Sequence, residues 1–218
     1  MAAAGLTLLA ACSSRTGGES DERDPTSAAV GAPGFEPSDE NQDPSKDIEG
    51  VVITEYEPSH ADPGQRVAYD KAPPYGGRHD PSWADCSGTV YAEPVRNENM
   101  VHALEHGAVW IAYDPARVTG AAFDGLADKV DGQPYLMLSP YPELDAPLSL
   151  QSWEHQLKLD SADDERVDQF ITALRNNPYT TPEHGAPCGT NPSQFDVTDP
   201  PPFDPSPPGP DAAPVEGP

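Results

Sequence analysis

Apolar positions along this chain fall into short runs with distinct periods. Residues 50–56 carry Val51, Val52 and Ile53 ahead of Tyr56, a β-branched cluster that predicts a strand. Residues 108–113, Ala-Val-Trp-Ile-Ala-Tyr, are continuously apolar and closed by Asp114-Pro115, the pattern of a buried strand. In residues 116–130 the apolar positions Val118, Ala122, Phe123, Leu126 and Val130 recur at helical spacing, and Asp131-Gly132 supplies a stop. Residues 134–139 and 146–153 read as strands joined by a proline-rich turn, the second running on as far as Leu159 through the alternating Trp153, His155, Leu157 and Leu159. Ser161 with Asp164 opens a last helix in capping-box fashion, with Val167, Phe170, Ile171 and Leu174 on its inner face.

The first strand is followed by a loop running to about Arg96, punctuated by Pro63-Gly64, Pro73-Pro74, Gly76-Gly77 and Pro81. Ordered loops of that length in compact domains tend to carry function. A short helix over residues 100–106 follows, with Asn97 or Asn99 as its cap, Glu98 in its first turn and Gly107 as a left-handed stop. The resulting order is strand, loop, helix, strand, helix, two strands, helix. It defines an α+β class, a single mixed sheet packed with helices, in an order reminiscent of a thioredoxin-like domain without the redox cysteines.

Composition narrows where this fold lies. The chain has 218 residues, 28 of them proline and 18 glycine, and a net charge of −25. Residues 13–47 are rich in Ser, Asp, Glu, Pro and Gly, too poor in apolar surface to offset ordering entropy, and are expected to form a disordered acidic tether. Residues 191–218 are expected to be a disordered, proline-rich acidic tail. The domain is therefore placed at residues 48–190. The strong negative charge disfavours nucleic acid or an anionic membrane surface as a partner and is compatible with cations.

Residues 1–12 end in Leu9-Ala10-Ala11-Cys12 after an apolar run, which looks like a bacterial lipobox, with Cys12 as the site of lipidation. No Lys or Arg precedes the run, so the natural start is expected upstream of Met1. The chain is thus expected to be extracytoplasmic and held at the outer face of the cell membrane by an N-terminal lipid anchor. In that oxidising compartment the other two cysteines, Cys86 and Cys188, are expected to form a disulfide closing a loop of about a hundred residues.

Candidate chemistry gathers in residues 97–107. His102 and His106 are four apart and share a helix face, with Glu105 beside them to ligate, orient or act as a base. The string His102-x-x-Glu105-His106 also matches the inverted zinc-protease motif, in which the glutamate activates water. Residues 73–83 of the loop contribute His79, and two helical histidines plus this one make a three-histidine set suited to copper or zinc. Met100 would favour Cu(I) if it turned inward, whereas His60, His155 and His184 lack such company and are expected at the surface or an edge. No Gly-x-Ser-x-Gly elbow, phosphate loop, dinucleotide fingerprint or calcium loop is present.

Four segments carry a resemblance: Pro73-Pro-Tyr-Gly-Gly-Arg-His79-Asp-Pro-Ser-Trp83, Cys86-Ser-Gly-Thr-Val-Tyr91, Val101-His-Ala-Leu-Glu-His-Gly-Ala-Val-Trp110 and Leu138-Ser-Pro-Tyr-Pro142. They resemble an uncharacterised bacterial envelope lipoprotein family, domain of unknown function 3105, over roughly residues 48–190. By that resemblance His79, His102, Glu105, His106 and the cysteine pair fall on family motif positions. The function expected is transition-metal binding through the three histidines. The alternatives are a non-catalytic envelope interaction module with structural histidines, and a metal-dependent hydrolase in which Glu105 would be the catalytic residue.

Overall fold

The computed structural model describes residues 1–2 and 31–216, so Cys12, the apolar leader and much of the expected tether lie outside the described residues. The centre is a six-stranded mixed sheet of β1 (Val52–Ile53), β5 (Ser87–Val90), β6 (Val109–Tyr113), β7 (Leu136–Pro140), β8 (Leu148–Ser152) and β9 (His155–Leu159). Its spatial order is β1-β9-β8-β6-β7-β5. Strand β7 runs parallel to both β5 and β6, whereas β6, β8, β9 and β1 pair antiparallel. Parallel neighbours need a crossover, and α2 (Ala121–Val130) supplies it between β6 and β7. A proline-rich turn without a helix joins β7 to β8.

Alternation along the central strand assigns the two faces of the sheet. Val109, Ile111 and Tyr113 pack with Leu126 and Val130 of α2 and with Val167, Phe170, Ile171 and Leu174 of α3 (Arg166–Leu174). Trp110 and Ala112 face the other way, with Met137 and with Met100, Val101, Ala103 and Leu104 of α1 (Asn97–Glu105). The Trp110 indole N–H on that face donates to Ser139 Oγ at 2.9 Å, which satisfies a fully buried donor.

The α+β class and the main elements agree with the sequence, but their edges shift. Helix α1 starts at Asn97 behind Arg96, with no side-chain cap from Asn97 or Asn99. Its stop is as expected: Gly107 has φ +99°, and a Cβ there would lie 3.0 Å from the Thr181 side chain. The expected long strand ending at Leu159 is a hairpin, turned at Trp153-Glu154 with Glu154 at φ +66°. The last helix begins at Arg166 because Ser161 and Asp164 each accept a backbone N–H two residues on, making turns first, while Asp164 also pairs with the Arg166 guanidinium.

The loop to Arg96 is not structureless. It holds β2 (Ser59–His60), β3 (Val67–Ala68), β4 (Arg78–His79) and the edge strand β5 of the main sheet, with β2 and β4 paired in parallel. The described part of the tether is also packed rather than free. Ser45, in a 3-10 helix at Pro44–Asp47, is fully buried, and Asn177 Nδ2 donates to the Gln42 carbonyl at 2.9 Å. The tail likewise folds back: Phe195 is buried, Phe203 stacks near Tyr141, and β10 (Ala213–Pro214) pairs in parallel with β3. Its few apolar side chains find pockets on the core, and prolines with pre-set φ lose little entropy in docking there.

Candidate metal centre

Helix α1 is buried along nearly its whole length, its polar positions included. Glu98, His102, Glu105 and the following His106 form a polar stripe at i, i+4, i+7 and i+8, each with 5% exposure or less. Buried polar stripes are costly unless partnered. Glu98 is satisfied structurally: it accepts the Val67 N–H at 2.8 Å and pairs with Arg96 Nε at 3.1 Å. Arg96 in turn holds Asp80 at 2.6 Å, and Asp80 also accepts the N–H groups of Gly64 and Ser82. This framework fixes the turn that follows His79.

The remaining polar positions converge. His60 and His79 stand opposite each other in the β2–β4 pair, ring centroids 4.9 Å apart. The His102 ring lies 5.1 Å from the first and 4.8 Å from the second. One potential ligand atom from each of His60, His79, His102 and Glu105 falls within 4.8 Å of all the others. His79 is fully buried, His102 and Glu105 nearly so, and His60 is exposed at the mouth.

Hydrogen bonding sets the tautomers. His79 Nδ1 donates to the Gly77 carbonyl at 2.8 Å and His102 Nδ1 to the Asp80 carbonyl at 2.7 Å, so each ring, when neutral, has its lone pair on Nε2. Gly77 presents its carbonyl from φ +88°, where a Cβ would meet Val215 Cγ2 at 2.6 Å. His79 Nε2 then lies 2.9 Å from Glu105 Oε2, and neither atom has another hydrogen-bond partner among the described residues. Glu105 Oε2 is 4.0 Å from His102 Nε2. Two buried acceptor atoms this close require a cation between them, either a proton or a metal ion in its place.

Electrostatics favour the forms that ligate. Burial lowers the His102 pKa to about 4, with neighbouring His79 acting in the same sense, so the ring is neutral at pH 7. Burial works to raise the Glu105 carboxyl, but a hydrogen bond from His79 and the positive charge of His79, His102 and His60 when protonated more than reverse it, so a cation beside the carboxylate holds it ionised below its usual range.

The structure redistributes the expected ligands. His79, His102 and Glu105 come together, and they are joined by His60, whose pairing with β4 no local pattern announces. His106 belongs instead to a second set with His102 and Glu183. Its Nδ1 donates to the Pro187 carbonyl at 2.9 Å, and its Nε2 lies 3.4 Å from Glu183 Oε2. Met100 is two residues from His102, hence on the far side of α1, fully buried in the apolar cluster, and no ligand. His155 is not at the surface: it is buried, with Nδ1 on the Trp153 carbonyl and Nε2 3.3 Å from Asp43. His184 is exposed, as expected.

Cys86 and Cys188 form the expected disulfide, which anchors the segment whose Pro187 carbonyl orients His106. Comparison with curated proteins and with solved structures yields no match. The model of the family described as "Protein of unknown function (DUF3105)" matches residues 60–190, from the first histidine of the cluster to just past the second disulfide cysteine. That span is more than half of the chain and contains every residue of both histidine–carboxylate sets, and the protein belongs to this family.

Proposed function

We propose that the protein binds one transition-metal ion through His60, His79, His102 and Glu105. The observation that carries this reading is the buried contact of His79 Nε2 with Glu105 Oε2, 2.9 Å apart and with no other hydrogen-bond partner among the described residues, a spacing that needs a cation between them. Ligand atoms bonded to one ion at ~2.0–2.2 Å are separated by roughly 3–3.5 Å, so little closure of the four groups is needed. Three imidazoles and a carboxylate suit Zn(II) or Cu(II). The thioether that would favour Cu(I) is turned away with Met100.

Hydrolysis is the weaker reading. In the His-x-x-Glu-His pattern the glutamate must stand free to activate water, whereas Glu105 sits among the ligand atoms against His79. An extracytoplasmic location is supported by the disulfide. Attachment to the membrane through Cys12 belongs to the same proposal.

Calorimetric titration of the purified chain with Zn(II) or Cu(II) tests the reading. One ion per chain is expected, lost in both His79→Ala and His102→Ala and kept in His184→Ala. A wild-type chain that takes up no metal, with the histidine variants only lowering the melting temperature, would establish the histidines as structural parts of an interaction module. Turnover lost in Glu105→Gln with metal retained would establish the hydrolase.

A further inference from the structure

His102 is the one side chain common to both sets of potential ligands. Its Nδ1 is engaged by the Asp80 carbonyl, so it offers a single lone pair, on Nε2, and can serve one ion at a time. The sets also differ in access. Each set has one exposed member, His60 in the inner and Glu183 in the outer, but the carboxylates differ: the Glu105 side chain is 7% exposed and that of Glu183 53%.

The outer set is built, not incidental. Glu183 donates its backbone N–H to the Glu105 carbonyl at 3.1 Å, which seats it on the end of α1. His106 is held by the Pro187 carbonyl, one residue before the disulfide. The Trp83 ring lies over both helical histidines, 4.8 Å from His106 and 5.5 Å from His102.

Resting on the metal-binding reading, we propose that His106 and Glu183 form with His102 an outer station for the same cation, which reaches the inner set by ligand exchange about His102. His102 stays bound while His106 and Glu183 are replaced by His79 and Glu105, and His60 completes the inner set. No electron changes hands: the ion keeps its oxidation state as the lone pairs of His106 and Glu183 leave it and those of His79, Glu105 and His60 take it up, with one carboxylate in each set. An exposed carboxylate makes the outer station labile; two buried ligands make the inner one retentive.

The test uses the full chain and Zn(II), with uptake from a chromophoric chelator followed by stopped flow and stoichiometry by native mass spectrometry. Glu183→Ala and His106→Ala are each expected to slow uptake about tenfold while one ion per chain is still bound at saturation. Glu183→Ala changes an exposed side chain, so its folding is secure. An unchanged rate in both variants overturns the outer station, as does loss of the final bound ion in Glu183→Ala, which would make Glu183 a resting ligand. Two ions per wild-type chain also overturn it, since the sets would then fill independently. No uptake by the wild type overturns the metal reading itself, so the two failures are distinguishable.

Discussion

At the scale of single residues, the site depends on which nitrogen of each imidazole is occupied by the backbone. His102 is the clearest case, because burial and its neighbour His79 bring its pKa down to about 4. The unfolded chain, with an ordinary histidine near 6.5, binds a proton that the folded chain refuses between those values. Stability must therefore fall as pH drops from about 6.5 toward 4, on the order of 3 kcal/mol in all from this group. Denaturant midpoints of the metal-free chain at pH 7.5 and 5 measure it, and His102→Gln is expected to flatten the difference within that window. Metal affinity should decline over the same range, since the ion competes with the proton. Gly77 is the second decisive residue. Gly77→Ala places a Cβ at φ +88° against Val215 and is expected to cost about 1–3 kcal/mol and to weaken metal binding by displacing the carbonyl that orients His79. Wild-type affinity in Gly77→Ala would show that the Gly77 carbonyl has no part in setting the site.

At the scale of elements, α1 could be recognised from the sequence because its stop and its histidine spacing are local, but its partners could not. Segments far apart in the chain reach its polar stripe: β2, β3, β4 with the Asp80 turn that follows it, and the segment before Cys188. The disulfide ties the last of these to Cys86, closing 102 residues. Replacing both cysteines by serine is expected to lower stability by about 2–5 kcal/mol. Because the 183–188 segment also seats Glu183 and orients His106, the same variant should slow Zn(II) uptake more than it reduces the amount bound. The reverse pattern would place the disulfide's influence on the inner set instead.

At the scale of the whole molecule, the flanking segments are part of the fold. Arg66 pairs with Asp204 at 2.9 Å, Arg96 N–H donates to the Pro201 carbonyl, and Arg78 N–H donates to the Val215 carbonyl at 2.6 Å, directly beside His79. The proline-rich tail thus runs across the loop that carries two of the four inner ligands. Ending the chain after Thr198 removes Phe203, Ala213 and Val215 from their contacts and is expected to lower stability by about 2–4 kcal/mol. It should also broaden the NMR signals of His60 and His79. A truncated chain with unchanged melting temperature would mean that the tail contributes no net stabilisation.

The α+β class, the central β6, the amphipathic α2 and α3, the disulfide pair and the helical histidines could all be read from the sequence, because each rests on a period, a stop or a count that is local in the chain. The ordered state of the tail could not, since its composition describes only what proline-rich chain does alone and says nothing of the pockets waiting on the core. The ligand set was partly legible: spacing placed His102, Glu105 and His106 on one face, but a helix face about three residues wide points in more than one direction. Only the tertiary structure separated His106 from His79, turned Met100 into the core and brought in His60. The two-residue pairing of β2 with β4 that does this has no periodic signature, and its position depends on contacts between segments far apart in the chain.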